Sequence, residues 1–434
     1  MARERMTSAS FTAGGRRLPG GRVALRRRVV GLLAFAVCVG AFSLVLAVTR
    51  TDIVDVPAAL ERLLDQRTDG EKAIAFAQGK LASAPSDPRL MAGLASAYLL
   101  RVRETYDPAL YAKAAELVDR AVAIAPTDPD VAITSGNLAL SRHDFAAALR
   151  WGLVAQAAAP ARPAAYGVLT DAYVELGRYP EAVVAAQRMV DLRPDLASYS
   201  RVSYLRELHG DLAGAIDAMR RAVDAGAPRT EGTAWSEVQL GNLYLADNDL
   251  DAAERAYENA LQRVDGYVFA IAGQAKVRAA RGDLVGAVAL DEQAARRLPV
   301  HDFVIALADL HERLGNADRA AQDVELVTAM ELLFKANGVR TDVDLALFDA
   351  DHGLRLDDAL AAARAEYAIR PSVTVAMTLA WTEYKTGDLK SASAHAAEAL
   401  RLGWRDPVAV HRAAAIAQAA GDVSLARRVA ELGR

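Results

Sequence analysis

The densest set of chemically capable side chains lies near the C-terminal third, where Asp342, Asp344, Asp349, Asp351, His352, Asp357 and Asp358 fall within 17 positions. Carboxylates at this density could supply the roughly six to eight oxygen ligands that Ca²⁺ takes. Gly353 is misplaced for an EF-hand loop, and helix capping with a solvated acidic surface accounts for the same residues more cheaply. The seven histidines (His143, His209, His301, His311, His352, His395 and His411) form no H-E-x-x-H, and none is spaced at i, i+4 from another ligand-type residue. No G-x-x-x-x-G-K-S/T cradle for a phosphate is present, and Gly14-Gly15 and Gly20-Gly21 sit in a basic tail, where they read as flexibility. Cys38, the single cysteine, builds neither a disulfide framework nor a Cys-based zinc site. These residue types therefore predict no catalytic residue, no metal and no cofactor. The weaker alternative, an enzyme with a metal site, rests on the 342–358 acids.

Charge divides the chain that must position any site. The 434 residues carry a formal charge of −4. Residues 1–50 hold nine arginines against Glu4 alone, a balance of +8, so the remaining 384 residues sum to −12. A basic tail and an acidic body imply two environments. No basic face is evident after residue 50, which argues against a nucleic-acid ligand. Hydrophobic residues make up 53% of the chain, mostly as alanine, and aromatic residues only 6%, which favours close-packed helices over sheets.

The uncharged run Val29–Thr49 is long enough, as a helix of roughly 31 Å, to cross a hydrocarbon core of about 30 Å. Arg26, Arg27 and Arg28 abut one end and predict a cytoplasmic N-terminus with the body extracytoplasmic. The run exceeds a signal-peptide core and no A-x-A site follows it, so an uncleaved signal-anchor is expected. The expected organisation is a disordered basic tail over 1–28, a membrane helix over 29–49, a juxtamembrane linker or first helix over 50–70, and repeats over 71–434.

Ala73, Ala114, Ala148, Ala182, Ala215, Ala253, Ala287, Ala320, Ala359, Ala392 and Ala426 recur at a modal step of 34, with glycine or a polar residue about five positions before and often proline twelve after. Each block reads as helix, tight turn, helix, turn. The glycine ends the first helix, the alanine admits the second at close range, and the proline stops it. Such pairs bury their apolar faces only by stacking on neighbours, which predicts an all-α solenoid of ten to eleven repeats. Three longer steps contain Arg101–Pro108, Ala227–Thr233 and Lys335–Asp344. The first is expected to be a long turn, and the third to follow an extended apolar helix over Val324–Phe334.

Leu240-Gly241-x-x-Tyr244, Ala253-x-x-x-Tyr257 and Ala260 give the clearest block, and on these residues the chain resembles the tetratricopeptide repeat family. The resemblance implies a right-handed solenoid whose first helices line a concave groove. Projected onto this register, it selects Asn137, Asp171, Tyr204, Trp235, Asn242, Phe269, Lys276, Trp381, Tyr384 and Lys385 as partner-binding residues. Ile133 and Val238 stand where a carboxylate clamp would need basic residues, so chaperone-tail binding is disfavoured. Arginine outnumbers lysine 44 to 7, a bias associated with GC-rich genomes. The expectation is a bacterial-type, membrane-anchored, non-enzymatic scaffold in the cell envelope that binds a peptide or protein. The alternative is an assembly or secretion factor that holds client chains transiently.

Overall fold

The computed structural model describes residues 68–433, and the tail and the 29–49 run lie outside them. Among the described residues no helix is long and apolar enough to cross a membrane, and there is no strand. The described residues form one compact unit.

That unit is a row of helix pairs. It starts with α1 (Asp69–Ser83). Ten pairs follow among the described residues: α2 (Pro88–Thr105) with α3 (Ala109–Ile124), α4 (Pro129–Ser141) with α5 (Phe145–Ala158), α6 (Pro163–Glu175) with α7 (Tyr179–Leu192), α8 (Leu196–Leu208) with α9 (Leu212–Ala225), and α10 (Glu231–Ala246) with α11 (Leu250–Arg263). The second five are α12 (Val268–Ala280) with α13 (Leu284–Arg297), α14 (His301–Arg313) with α15 (Ala317–Ala336), α16 (Asp342–His352) with α17 (Leu356–Ile369), α18 (Val373–Thr386) with α19 (Leu389–Ala399), and α20 (Pro407–Ala420) with α21 (Val423–Leu432).

Local chemistry sets the pair boundaries. In nine of these pairs, from α4–α5 onward, the turn holds a left-handed residue, glycine at seven and His143 and Asn248 at the other two. An aspartate commonly follows and caps the second helix, as Asp249 does by accepting from Ala252 N. Asp87, Asp128 and Asp406 cap first helices that begin with proline. Nine of the eleven in-phase alanines are buried, and Ala253 is fully so. Ala73 and Ala426, on the outermost helices, are not buried. Tyr257 is also fully buried, and it fits because Gly241 lacks a side chain: a Cβ there would lie 2.5 Å from the tyrosine ring. Ser203, where a small residue is needed on α8, donates its hydroxyl to Ala215 O at 2.8 Å.

The long steps resolve differently from a set of loops. Arg101–Thr105 continues α2, aided by the Arg101–Glu104 pair, and only Tyr106–Pro108 is turn. The expected long turn there is therefore an extra helical turn capped by left-handed Tyr106. The expected extended helix is present as the 20-residue α15.

The array also closes on itself. The Tyr106 hydroxyl meets His301 Nδ1 at 3.2 Å, Arg142 Nε donates to Gly338 O at 2.9 Å, His143 Nδ1 meets Arg340 O at 2.8 Å, Glu175 pairs with Arg370 at 2.9 Å, and Val373 N donates to Tyr179 Oη at 2.8 Å. Each contact joins residues 194 to 197 apart in sequence. A constant offset repeated along three consecutive pairs means that the superhelix returns after about six pairs and stacks one turn on the next. Two of the three long steps feed this seam, through Tyr106 and through Gly338 with Arg340. The seam explains why His143 tolerates a left-handed backbone (φ 58°): its ring is held across it.

Candidate functional site

On α6, α8 and α10 the inward residues recur at helical spacing: Asp171 and Glu175, then Ser200, Tyr204 and Glu207, then Trp235, Gln239 and Asn242. One stripe of each first helix therefore faces the same space. Together with Arg103, Arg201 and Met219 they line a cavity of about 610 Å³. A second cavity of about 530 Å³ shares Asp171 and Glu175 and adds His143, Phe145, Asp344, Arg370, Trp404, Asp406 and Arg412 from both superhelical turns.

The arginines on these walls are already engaged. Arg201 grips Asp171 through two bonds of 2.8 and 2.6 Å. Arg370 bonds Glu175 at 2.9 Å and Glu366 at 2.6 Å, with its guanidinium 4.8 Å from the Phe145 ring. Arg103 pairs with Glu231 at 2.9 Å and Arg412 with Asp351 at 2.7 Å. The carboxylates are not all engaged in return. Among the described residues, Glu207 and Asp344 have no side-chain hydrogen bond or ion pair. Burial pushes Glu207 up to about 7, with Asp406 adding to the shift. Burial likewise raises Glu175, against the pull of Arg370, and Asp344, against His143 and Arg370. The Tyr204 phenol is raised by burial and then by Glu175 and Glu207, although 39% of the residue stays open to the cavity.

Of the ten residues selected from the sequence, Asp171, Tyr204, Trp235 and Asn242 meet in the first cavity. The Asn242 amide oxygen accepts from Tyr257 Oη at 2.9 Å. Asn137 is half-buried on α4 and lines neither cavity. Phe269 sits 5.5 Å from the Phe303 ring and 5.4 Å from Tyr267, packed between neighbouring pairs. Lys276 is exposed, and its charge acts on buried Asp291. Trp381 and Tyr384 stack at 4.9 Å, Lys385 Nζ lies 5.2 Å from the Trp381 ring, and Trp381 Nε1 donates to Asp351 at 2.7 Å. Those three form a separate cluster.

The acidic segment is built into the fold more than its composition suggests. Asp349 is buried and receives Arg355 Nε at 3.0 Å, Asp342 pairs with Lys335 at 2.9 Å, and His352 Nδ1 meets Glu312 at 3.0 Å. Among the described residues no group of three or more His, Cys, Asp or Glu is placed to hold a metal ion. Sequence reading did not select Glu175, Arg201, Glu207 or Arg370, and it placed Asp344 in the acidic cluster and not on the inner wall. The signal for Glu175 and Glu207 was their helical spacing from Asp171 and Tyr204, whereas Asp344 and Arg370 arrive from the next superhelical turn.

No protein-family model matches the chain, and no curated protein matches it in sequence. Solved structures do match in part. A thermophilic tetratricopeptide-repeat protein of Thermus thermophilus is 22% identical over 39% of this chain and 91% of its own, at a TM-score of 0.36. PilW, described as a type IV pilus biogenesis factor, is 16% identical over 46% of this chain and 92% of its own, at 0.40. A human IFIT1 dimer with m7Gppp-AAAA is 14% identical over 77% of this chain and 76% of its own, at 0.49. The likeness is one of helix-pair architecture, and the ligands in those descriptions belong to those proteins.

Proposed function

We propose that residues 67–434 are a non-enzymatic docking scaffold that takes an extended peptide or protein segment along the inner wall of a tetratricopeptide-like solenoid. The observation that carries this reading is the convergence of Asp171, Tyr204, Trp235 and Asn242 on one cavity of about 610 Å³. Aromatic and amide side chains there offer contact area and backbone hydrogen bonding, the combination that suits a bound chain. The scaffold is anchored by residues 29–49 with its N-terminus cytoplasmic and the repeats in the cell envelope, a reading supported by the uncharged run and its arginine flank.

The test places a photocrosslinking residue at Tyr204 and, separately, at Val184, which is 70% exposed on the outer helix α7. In living cells the Tyr204 position should give a discrete adduct and the Val184 position none. Equal capture at both, or none at Tyr204, removes the inner-wall reading. Protease added to spheroplasts should digest the repeats, and full protection overturns the topology.

A further inference from the structure

We infer that the cavity between α6, α8 and α10 receives a cationic side chain, lysine or arginine, of the bound segment, with Glu207 as its counter-ion and Tyr204 and Trp235 as its walls. This rests on the docking reading above and names the chemistry of the occupant. The wall is electrically unbalanced. Arg103 and Arg201 are spent on Glu231 and Asp171, so neither is free to meet an anion. The Glu207 carboxylate has no hydrogen bond or ion pair among the described residues, and the charge that acts on it is another acid, Asp406, from the neighbouring superhelical turn. A half-buried carboxylate without a partner is costly to keep ionised, and an entering ammonium or guanidinium relieves that cost. The same space offers the open part of Tyr204 and the ring of Trp235, whose faces attract a cation. A carboxylate-bearing segment would meet Glu207 without any free arginine, so the wall discriminates against acidic sequences by repulsion.

The experiment measures by calorimetry, on the full-length chain in detergent, the binding of three acetylated and amidated alanine pentapeptides with lysine, Nε-acetyl-lysine or glutamate at the centre. The lysine peptide should bind about tenfold or more tightly than the acetyl-lysine peptide, and the glutamate peptide should not bind. Glu207→Gln should abolish the preference without lowering the melting temperature, and Asp217→Asn on the outer surface should leave the preference unchanged. Equal binding of the lysine and acetyl-lysine peptides, an undiminished preference in Glu207→Gln, or no binding by any of the three overturns the inference. Butylamine binding as well as the lysine peptide overturns it too, because the cavity would then recognise a free amine and not a chain. A position-specific crosslink at Tyr204 with no lysine preference would leave docking standing and remove only the cationic occupant.

Discussion

The seam between superhelical turns and the cavity beside it meet at Glu175 on the end of α6, yet their polar groups are treated in opposite ways. At the seam, Arg142, His143, Glu175, Tyr179 and Arg370 each find a partner on the other turn. In the cavity, the Glu207 carboxylate is shifted upward by burial without one. A satisfied buried group holds the architecture, whereas an unsatisfied one lowers stability and is retained where something else is to complete it. The difference separates residues that keep the inner wall in place from Glu207, which the proposed segment would meet.

The largest break in that comparison should come at Gly177. Its backbone is left-handed (φ 71°), and a Cβ there would sit 2.6 Å from the Pro371 carbonyl oxygen. Gly177→Val must strain the turn and push the two superhelical turns apart, costing about 3–4 kcal/mol in denaturant unfolding. A loss below about 1 kcal/mol would mean that the turns do not stack as described. Ala253→Leu acts inside one pair. It should cost about 1–3 kcal/mol by overpacking a fully buried contact, and a neutral result would mean that the alanine register is wrong.

A smaller effect sharpens the seam. His301 and Glu331 are both buried, and their facing atoms lie 3.3 Å apart. Tyr106 and Phe334 cover the histidine, while Thr341, Asp302, Asp342 and Asp344 face the carboxyl group. Burial lifts Glu331 to about 7. The folded chain therefore holds more protons at this site than the unfolded chain between about pH 4.5 and 7, and its contribution to stability falls as pH rises through that window. His301 is pushed below its ordinary value by burial, so its own contribution is lost as pH falls below about 6.5. Glu331→Gln should then stabilise the protein by about 1–2 kcal/mol at pH 8, with the gain vanishing towards pH 5 in a series of thermal melts. A gain that is the same at every pH contradicts the assignment. The cavity should respond in the same direction: Glu207 is also lifted to about 7 by burial, so Glu207→Gln should raise the melting temperature at pH 8 and leave it unchanged near pH 5, and a clear drop would show that the Glu207 carboxylate has a structural partner.

Much of the pair architecture was legible because it depends on neighbours in sequence. A glycine at the turn, an aspartate at the next helix start and an alanine one turn later act within about ten residues of each other, and their period is visible in the letters. The cavity was legible only in part. Asp171, Tyr204, Trp235 and Asn242 came from counting along first helices, while Phe269 and Trp381 occupied the same pattern and ended among neighbouring rings and Asp351. Helical phase tells which side of a helix a residue occupies, but not whether a neighbouring side chain already covers it.

The sequence by itself determined the helix pairs, their 34-residue step and the separation of a basic, apolar N-terminal stretch from an acidic body. Short-range rules suffice for all three, because capping, turn conformation and helix contact are decided between residues close in the chain. Only the tertiary structure decided that the solenoid closes with an offset of 194 to 197 residues, that long steps fill the seam, and that Glu207 is left without a counter-ion. Those outcomes depend on small rotations summed over about six pairs, and no local stretch of sequence records that sum.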